Sequence, residues 1–246
     1  MTALILRLAA PLQSWGERGT FGEKDTADFP TRSGLLGLIA SAAGIARGEH
    51  LGTLTELEFI VRIDRPGVRV IDFHTAGGGY PPKRGIPTAE GKRKNTAIVT
   101  HRHYLADAVF TVACTGPEQT VTEAAAAVAA PRWQPYLGRR SCPPEQPMIL
   151  GITTDAETAL RTVPLPPRQR YTRGRTQVDL IRSAAAGDTG AWSEMLDDCD
   201  RFTQTDRRYR SRTITRTTET LTEDLATTTS LEYWDRLQEF MKRSRS

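Results

Sequence analysis

The sequence predicts an α+β fold, and three patterns carry the prediction. Residues 3–8 are an apolar run of strand length, which reads as a first strand buried on both faces. Residues 58–64 alternate as a second strand, with Phe59, Val61 and Ile63 sharing one face. Two segments carry helical signals, 34–47 and the alanine-rich 117–130.

In chain order, residues 11–30 form a loop with Gly16, Gly19 and Gly22. Ser33 is a good N-cap for the helix 34–47, whose inward side carries Leu35, Leu36, Ile39, Ala40 and Ala43. Gly34 and Gly37 put small residues where the helix start must approach something closely. Pro66 and Gly67 turn the chain into a strand at 68–73. Residues 74–100 break the pattern with Gly77, Gly78, Gly79, Pro81, Pro82, Gly85, Pro87 and Gly91, and read as a long excursion, a β-hairpin arm. Strand character resumes over 95–114. Pro117 and Pro131 bound the second helix, and 148–153 is a short last strand.

Without the excursion the order is βαββαβ, a ferredoxin-like (RRM-like) core. That unit serves many RNA-binding modules, and also enzymes and structural proteins. The expected organisation is a core over 1–160 interrupted by a thumb insert at 74–101. A less regular, basic and threonine-rich region follows over 161–246, beginning at Pro164, Pro166 and Pro167. Within it, 168–182 reads as basic loop with some strand, 191–196 as a short helical stretch, 213–229 as β structure or polar loop, and 233–240 as a terminal helix.

The net charge of +4 is modest, but the basic residues cluster. Lys83, Arg84, Lys92, Arg93, Lys94 and Arg102 face only Glu90 over 77–103. Further runs of arginine lie at 161–182 and 201–216. Such local positive fields suit a polyanion, though each run could equally be a solvated surface. Cys114, Cys142 and Cys199 are odd in number and form no CxxC, which disfavours a disulfide framework or a zinc site. The start carries a charge inside a short apolar run, unlike a secretory signal, and no run is long enough to span a bilayer. A cytoplasmic protein is expected.

Two motifs carry the chemistry. Pro-Thr-Arg-Ser-Gly-Leu-Leu-Gly-Leu-Ile occupies 30–39, and Tyr-Leu-Gly-Arg-Arg-Ser-Cys-Pro-Pro occupies 136–144. Each sets arginine and serine beside glycine, a combination of guanidinium, hydroxyl and open backbone N–H that suits phosphate. Arg32, Ser33 and Gly34 at a helix N-terminus are a candidate phosphate seat, or an ordinary cap with Arg32 solvated. Gln13 and Trp15 leave the first strand; Trp15 is a candidate for base stacking, or a core residue beside a glycine turn. Arg139, Arg140 and Ser141 are the strongest candidates. Adjacent arginines on an extended segment diverge, so one faces RNA and the other phosphate, solvent or a partner; a structural salt bridge is the other reading. Lys83, Arg84, Lys92, Arg93 and Lys94 are candidate backbone contacts or a solvated loop, and His74 either fixes the base of the arm or is structural.

Five blocks resemble one family: residues 4–16 (Leu-Ile-Leu-Arg-Leu-Ala-Ala-Pro-Leu-Gln-Ser-Trp-Gly), 29–38, Asp-Phe-His-Thr at 72–75, 103–113 and 135–143. In that order, over roughly 1–155, they resemble the CasD family, a subunit of the type I-E CRISPR surveillance complex Cascade. The resemblance implies a non-catalytic RNA-binding subunit that grips the 5′ handle of CRISPR RNA and caps the backbone filament. It implies a thumb packed on the neighbouring backbone subunit, contact with the large subunit, and target DNA met only through the complex. No cofactor or metal is implied.

A metal-independent endoribonuclease is the competing class. His101 and His103 share a strand face, and with Tyr104 and nearby lysines supply the residue types for base, acid and phosphorane stabilisation. In type I-E systems a separate subunit performs that cleavage. A scaffold whose arginines meet acidic protein surfaces is a third reading.

Overall fold

The computed structural model describes the chain except residues 18, 20, 21, 80, 82, 83, 89, 90, 168–175, 186, 188, 189, 204–208, 245 and 246, and the side chain of Pro87. Lys83 and the arginines at 168, 170, 173, 175, 207 and 208 therefore lie outside the described residues.

The chain folds as a mixed α+β protein. β1 (Thr2–Ala9) is buried along almost its whole length. Leu4, Leu6 and Leu8 enter one core, while Ala3 and Ile5 enter another on the opposite face. A strand covered on both sides needs this continuous apolar run. β2 (Leu12–Gln13) and β3 (Glu23–Lys24) are short pairings in the loop that follows.

α1 (Arg32–Ala43) starts earlier than expected. The N-cap is Thr31, not Ser33: its hydroxyl accepts from the Gly34 N–H at 3.3 Å. The helix ends at Gly44, whose φ of +79° closes it before residue 47. β4 (Glu58–Arg65) follows, then β5 (Val68–Ala76), the small pairing of β6 (Ile86–Pro87) with β7 (Arg93–Lys94), β8 (Ile98–Ala106) and β9 (Val109–Gly116). α2 (Glu118–Ala129) leads to β10 (Ile149–Thr153). α3 (Ala156–Thr162) is a short helix that the sequence reading did not contain; Asp155 caps it by accepting from the Thr158 N–H at 3.0 Å. β11 (Gln177–Ser183), β12 (Ala191–Asp198), β13 (Arg210–Thr220) and α4 (Ser230–Arg243) complete the chain.

Among the described residues, seven strands form one antiparallel sheet in the order β10-β1-β9-β4-β11-β13-β12. α1 and α2 pack on one face around Leu36, Ile39, Val121 and Phe110. α3 and α4 pack on the other, where Leu160, Tyr233 and Leu237 meet Ala3 and Ile5. Each fully buried leucine of this kind contributes roughly 1.5–3 kcal/mol. On that second face Arg62 and Asp64 are both fully buried and paired at 2.5 Å. Arg62 also donates to the Leu160 and Val163 carbonyls at the end of α3, and Thr111 donates to Asp64 at 2.6 Å. The network ties β4 and β9 to the helix terminus.

Two expectations change here. Residues 191–196 are strand, not helix: Ala, Glu, Met and Leu favour helix locally, but β12 pairs with β13 from Ala191↔Arg216 to Asp198↔Arg210. Its burial has period 2, with Met195 and Asp197 inside and Glu194 and Leu196 outside. The strand at 68–73 does not return on the large sheet. β5 pairs with β8 in a second sheet, from Val68↔Ala106 to Ala76↔Ile98, and the more apolar β9 takes the place beside β4. Beyond residue 160, β11 joins β4 at Asp179↔Ile63 and Ile181↔Val61. Among the described residues, no helix is long and apolar enough to cross a membrane.

Candidate nucleic-acid interface

The two arginine–serine–glycine motifs meet. A groove of about 840 Å³ is lined by Ser33, Gly34 and Gly37 from the start of α1, by Gly138 and Arg140 from the loop after α2, and by Phe202 and Tyr209. Glycine makes this approach possible. Gly138 has φ +84°, and a Cβ there would stand 1.5 Å from the Ser14 carbonyl oxygen. The Ser14 N–H donates to the Leu137 carbonyl at 3.1 Å, locking the second motif to the segment after β1. A Cβ on Gly34 would stand 2.7 Å from the Trp15 ring, and one on Gly37 would meet Phe202 at 3.4 Å. The close approach expected of the helix start is therefore to Trp15 and Phe202.

The two arginines of the second motif have different environments. The Arg139 guanidinium lies 4.6 Å from the centroid of the Tyr104 ring and donates to the Lys24 carbonyl at 2.8 Å. It braces the loop against β3 and β8. Burial pushes the Tyr104 phenol up, but hydrogen bonds with Ser141 and Arg139 outweigh it and leave it below its ordinary value. Arg140 is exposed, lines the groove, and makes no hydrogen bond or ion pair to a described residue. Ser141 is exposed beside it.

The first motif needs correction. Arg32 is buried, 6% exposed, and is not a displayed phosphate ligand. Its guanidinium pairs with Asp198 at 3.1 Å and donates to the Leu57 and Thr55 carbonyls. Its backbone N–H donates to Asp197 Oδ2 at 2.6 Å, so the helix N-terminus already holds the protein's own carboxylate. Asp197 is fully buried and also accepts from Arg212 at 2.7 and 3.0 Å. Burial pushes Asp198 up, and its bonds to Arg32 and Arg210 hold it below the usual aspartate value.

Gln13 and Trp15 are also internal. Gln13 donates to the Leu8 and Ala108 carbonyls and accepts from the Trp15 indole N–H at 3.1 Å. Trp15 is 1% exposed, so its ring supports Gly34 rather than stacking on a base. Ser33 and Gly34 remain half-buried on the groove wall.

The insert residues lie apart from the groove lining. Arg84 donates its backbone N–H to the Pro81 carbonyl, Arg93 its guanidinium to the Gly85 carbonyl, and Lys92 and Lys94 are exposed near the hairpin tip. His74 on β5 lies 3.7 Å from Asp72.

The histidine cluster is held by one carboxylate. Glu23 on β3 meets His101 at 2.7 Å and His103 at 3.3 Å, and these bonds hold its carboxyl below the ordinary value. Tyr104 is buried under Arg139, on the other face of β8. The three residues of the nuclease reading are therefore not brought together. Among the described residues, no group of three His, Cys, Asp or Glu could hold a metal ion.

Sequence reasoning missed Arg47 and Trp133, both exposed and both lining the groove. The available signal was local: Arg47 follows the helix stop at Gly44, and Trp133 precedes the second motif beside Arg132.

A family model described as CRISPR-associated protein (Cas_Cas5) matches residues 3–216. The CRISPR system Cascade subunit CasD of Escherichia coli (strain K12) is 42% identical over 175 residues, covering 64% of this chain and 75% of that protein. A chain of a solved CRISPR RNA-guided surveillance complex superposes with a TM-score of 0.86 at 44% identity, covering 98% of this chain and 99% of that one. A crystal structure of a Cas protein matches with a TM-score of 0.64 at 27% identity, over 93% of this chain and 100% of that one.

Proposed function

Since the chain belongs to the CRISPR-associated Cas5 family, we propose that it is a non-catalytic RNA-binding subunit of a Cascade-type surveillance complex. In this reading it grips the 5′ handle of CRISPR RNA, caps the backbone filament and supports assembly for antiviral DNA targeting. The observation that carries the reading is the meeting of two distant motifs at one groove, with Arg140 exposed there and unpaired. A guanidinium with no partner among the described residues, on the wall of a groove, suits a phosphate.

The strands β10-β1-β9-β4 with α1 and α2 read as the ferredoxin-like unit, since their order 4-1-3-2 is that of βαββαβ. The β5–β8 hairpin reads as the thumb. Ile71, Phe73 and Val99 are exposed on one face there, beside His101 and His103, and such a face suits the neighbouring backbone subunit. The large subunit is a further protein partner, and target DNA is met through the complex.

The test is Arg140→Ala in the full chain, co-expressed with the other subunits and a CRISPR RNA. The expected result is lower RNA occupancy and incomplete complexes at unchanged stability of the chain. Normal assembly and RNA retention would remove Arg140 from the interface.

A further inference from the structure

We infer that the groove holds one unstacked nucleotide of single-stranded RNA, its base on Trp133 and its phosphate on Arg47 and Arg140. This rests on the RNA-binding reading above and adds residues to it. Trp133 is 44% exposed on the groove wall. Among the described residues no aromatic ring pairs with it; its contact is the Arg132 guanidinium, 6.0 Å from the ring centroid. An indole left in water beside a cation is a platform for a base, because every base offers a π-face.

Charge fixes the orientation. Arg47 and Arg140 line the same groove, and neither has a hydrogen bond or ion pair to a described residue. Arg7, Arg32, Arg62 and Arg212, in contrast, are each paired with a carboxylate. The acidic lining residue, Glu49, is turned onto the Ala46 N–H at 2.7 Å. A neighbouring cavity of about 700 Å³ shares Gln134, Pro135 and Pro143 with the groove but has no charged lining residue. The phosphate therefore belongs on the arginine side, and the base at the boundary where Trp133 stands. A duplex keeps its base faces stacked, so the ligand is single-stranded.

The test uses the full chain and a short fluorescent single-stranded RNA from the CRISPR repeat, read by anisotropy. Trp133→Ala should weaken binding roughly 5- to 150-fold, the range of a base–aromatic stack, while Trp133→Phe retains most of it. Arg47→Ala should weaken binding and lower the slope of log affinity against log salt by about one. An abasic site scanned along the RNA should find one position that costs the same, and there Trp133→Ala should add nothing. A loss in Trp133→Ala that is equal at every abasic position overturns the stack. Wild-type affinity in both Trp133→Ala and Arg47→Ala, with Arg140→Ala weakened, overturns the nucleotide site while leaving the groove as an RNA surface. No binding by the unmodified chain overturns both readings.

Discussion

The backbone nitrogen of Arg32 lies 2.6 Å from Oδ2 of Asp197, so a carboxylate on β12 caps a helix that starts 165 residues earlier in the chain. The same carboxylate takes both arms of Arg212, and its neighbour Asp198 takes the Arg32 side chain. The first arginine motif is thus a joint between the start of α1 and the far end of the sheet. Its consequence for function is indirect: it fixes the helix that presents Ser33 and Gly34 to the groove.

Asp197→Ala should therefore cost about 3–5 kcal/mol, since it strands a helix N–H and the Arg212 charge. Asp197→Asn, which keeps one acceptor oxygen, should cost less. Urea denaturation of both variants measures the difference, and equal stability to wild type would show that the joint is not structural.

Arg139 and Arg140 should separate stability from binding. Arg139→Ala removes the contact with Tyr104 and the bond to the Lys24 carbonyl, and should cost about 1–3 kcal/mol. Arg140→Ala should stay within about 0.5 kcal/mol of wild type yet bind RNA more weakly. Thermal melts and RNA titrations of both variants, run side by side, check the split.

Gly138→Ala should cost more than about 4 kcal/mol, or prevent folding, because the new methyl meets the Ser14 carbonyl. Gly79→Ala is the control. Gly79 also has positive φ, but nothing lies within 4 Å of its Cβ position, so only backbone strain of about 1–2 kcal/mol remains. Comparable losses at the two sites would contradict the close-approach argument.

Glu23 should titrate below its ordinary value of 4.5, because His101 and His103 bond to its charged form. Its folded value is the lower one, so its stabilising effect is present above about pH 4.5 and is lost as pH falls through the folded value. Carboxyl NMR on wild type and on His101→Ala with His103→Ala measures this, and the midpoint should rise in the double variant.

The three cysteines should resist thiol reagents in the folded protein. All are buried. Burial pushes the Cys114 thiol up to about 12 and that of Cys199 up to about 11. Burial also raises Cys142. Reaction with a disulfide reagent at pH 8 should begin only on unfolding; rapid modification of the native chain would contradict the packing.

Strands with a strong period were legible. β1, β4 and β9 carry apolar runs or alternation that only a covered sheet uses, and Pro117 and Pro131 bracket α2. The strand β12 was not legible. Its residues favour helix, and the bonds that overrule them come from β13, whose threonine- and arginine-rich sequence has no apolar pattern to announce it. At the site, glycine signalled close approach correctly, yet the sequence could not say to what. Gly34 answers to Trp15, and Gly37 to Phe202. Nor could it divide the arginines. Arg32 and Arg140 look alike in sequence, and only the carboxylates of β12 turn one inward. Arg47 and Trp133 carry no motif, and reach the groove only because α1 and the loop after α2 converge there.

The most direct test is the full chain titrated against a 5′-labelled CRISPR repeat RNA in EDTA, with each sample run on native and denaturing gels. A salt-sensitive shift of intact RNA, weakened by Arg140→Ala, is the expected result. EDTA-resistant cleavage that disappears in His103→Ala would contradict the account and make an enzyme of the chain.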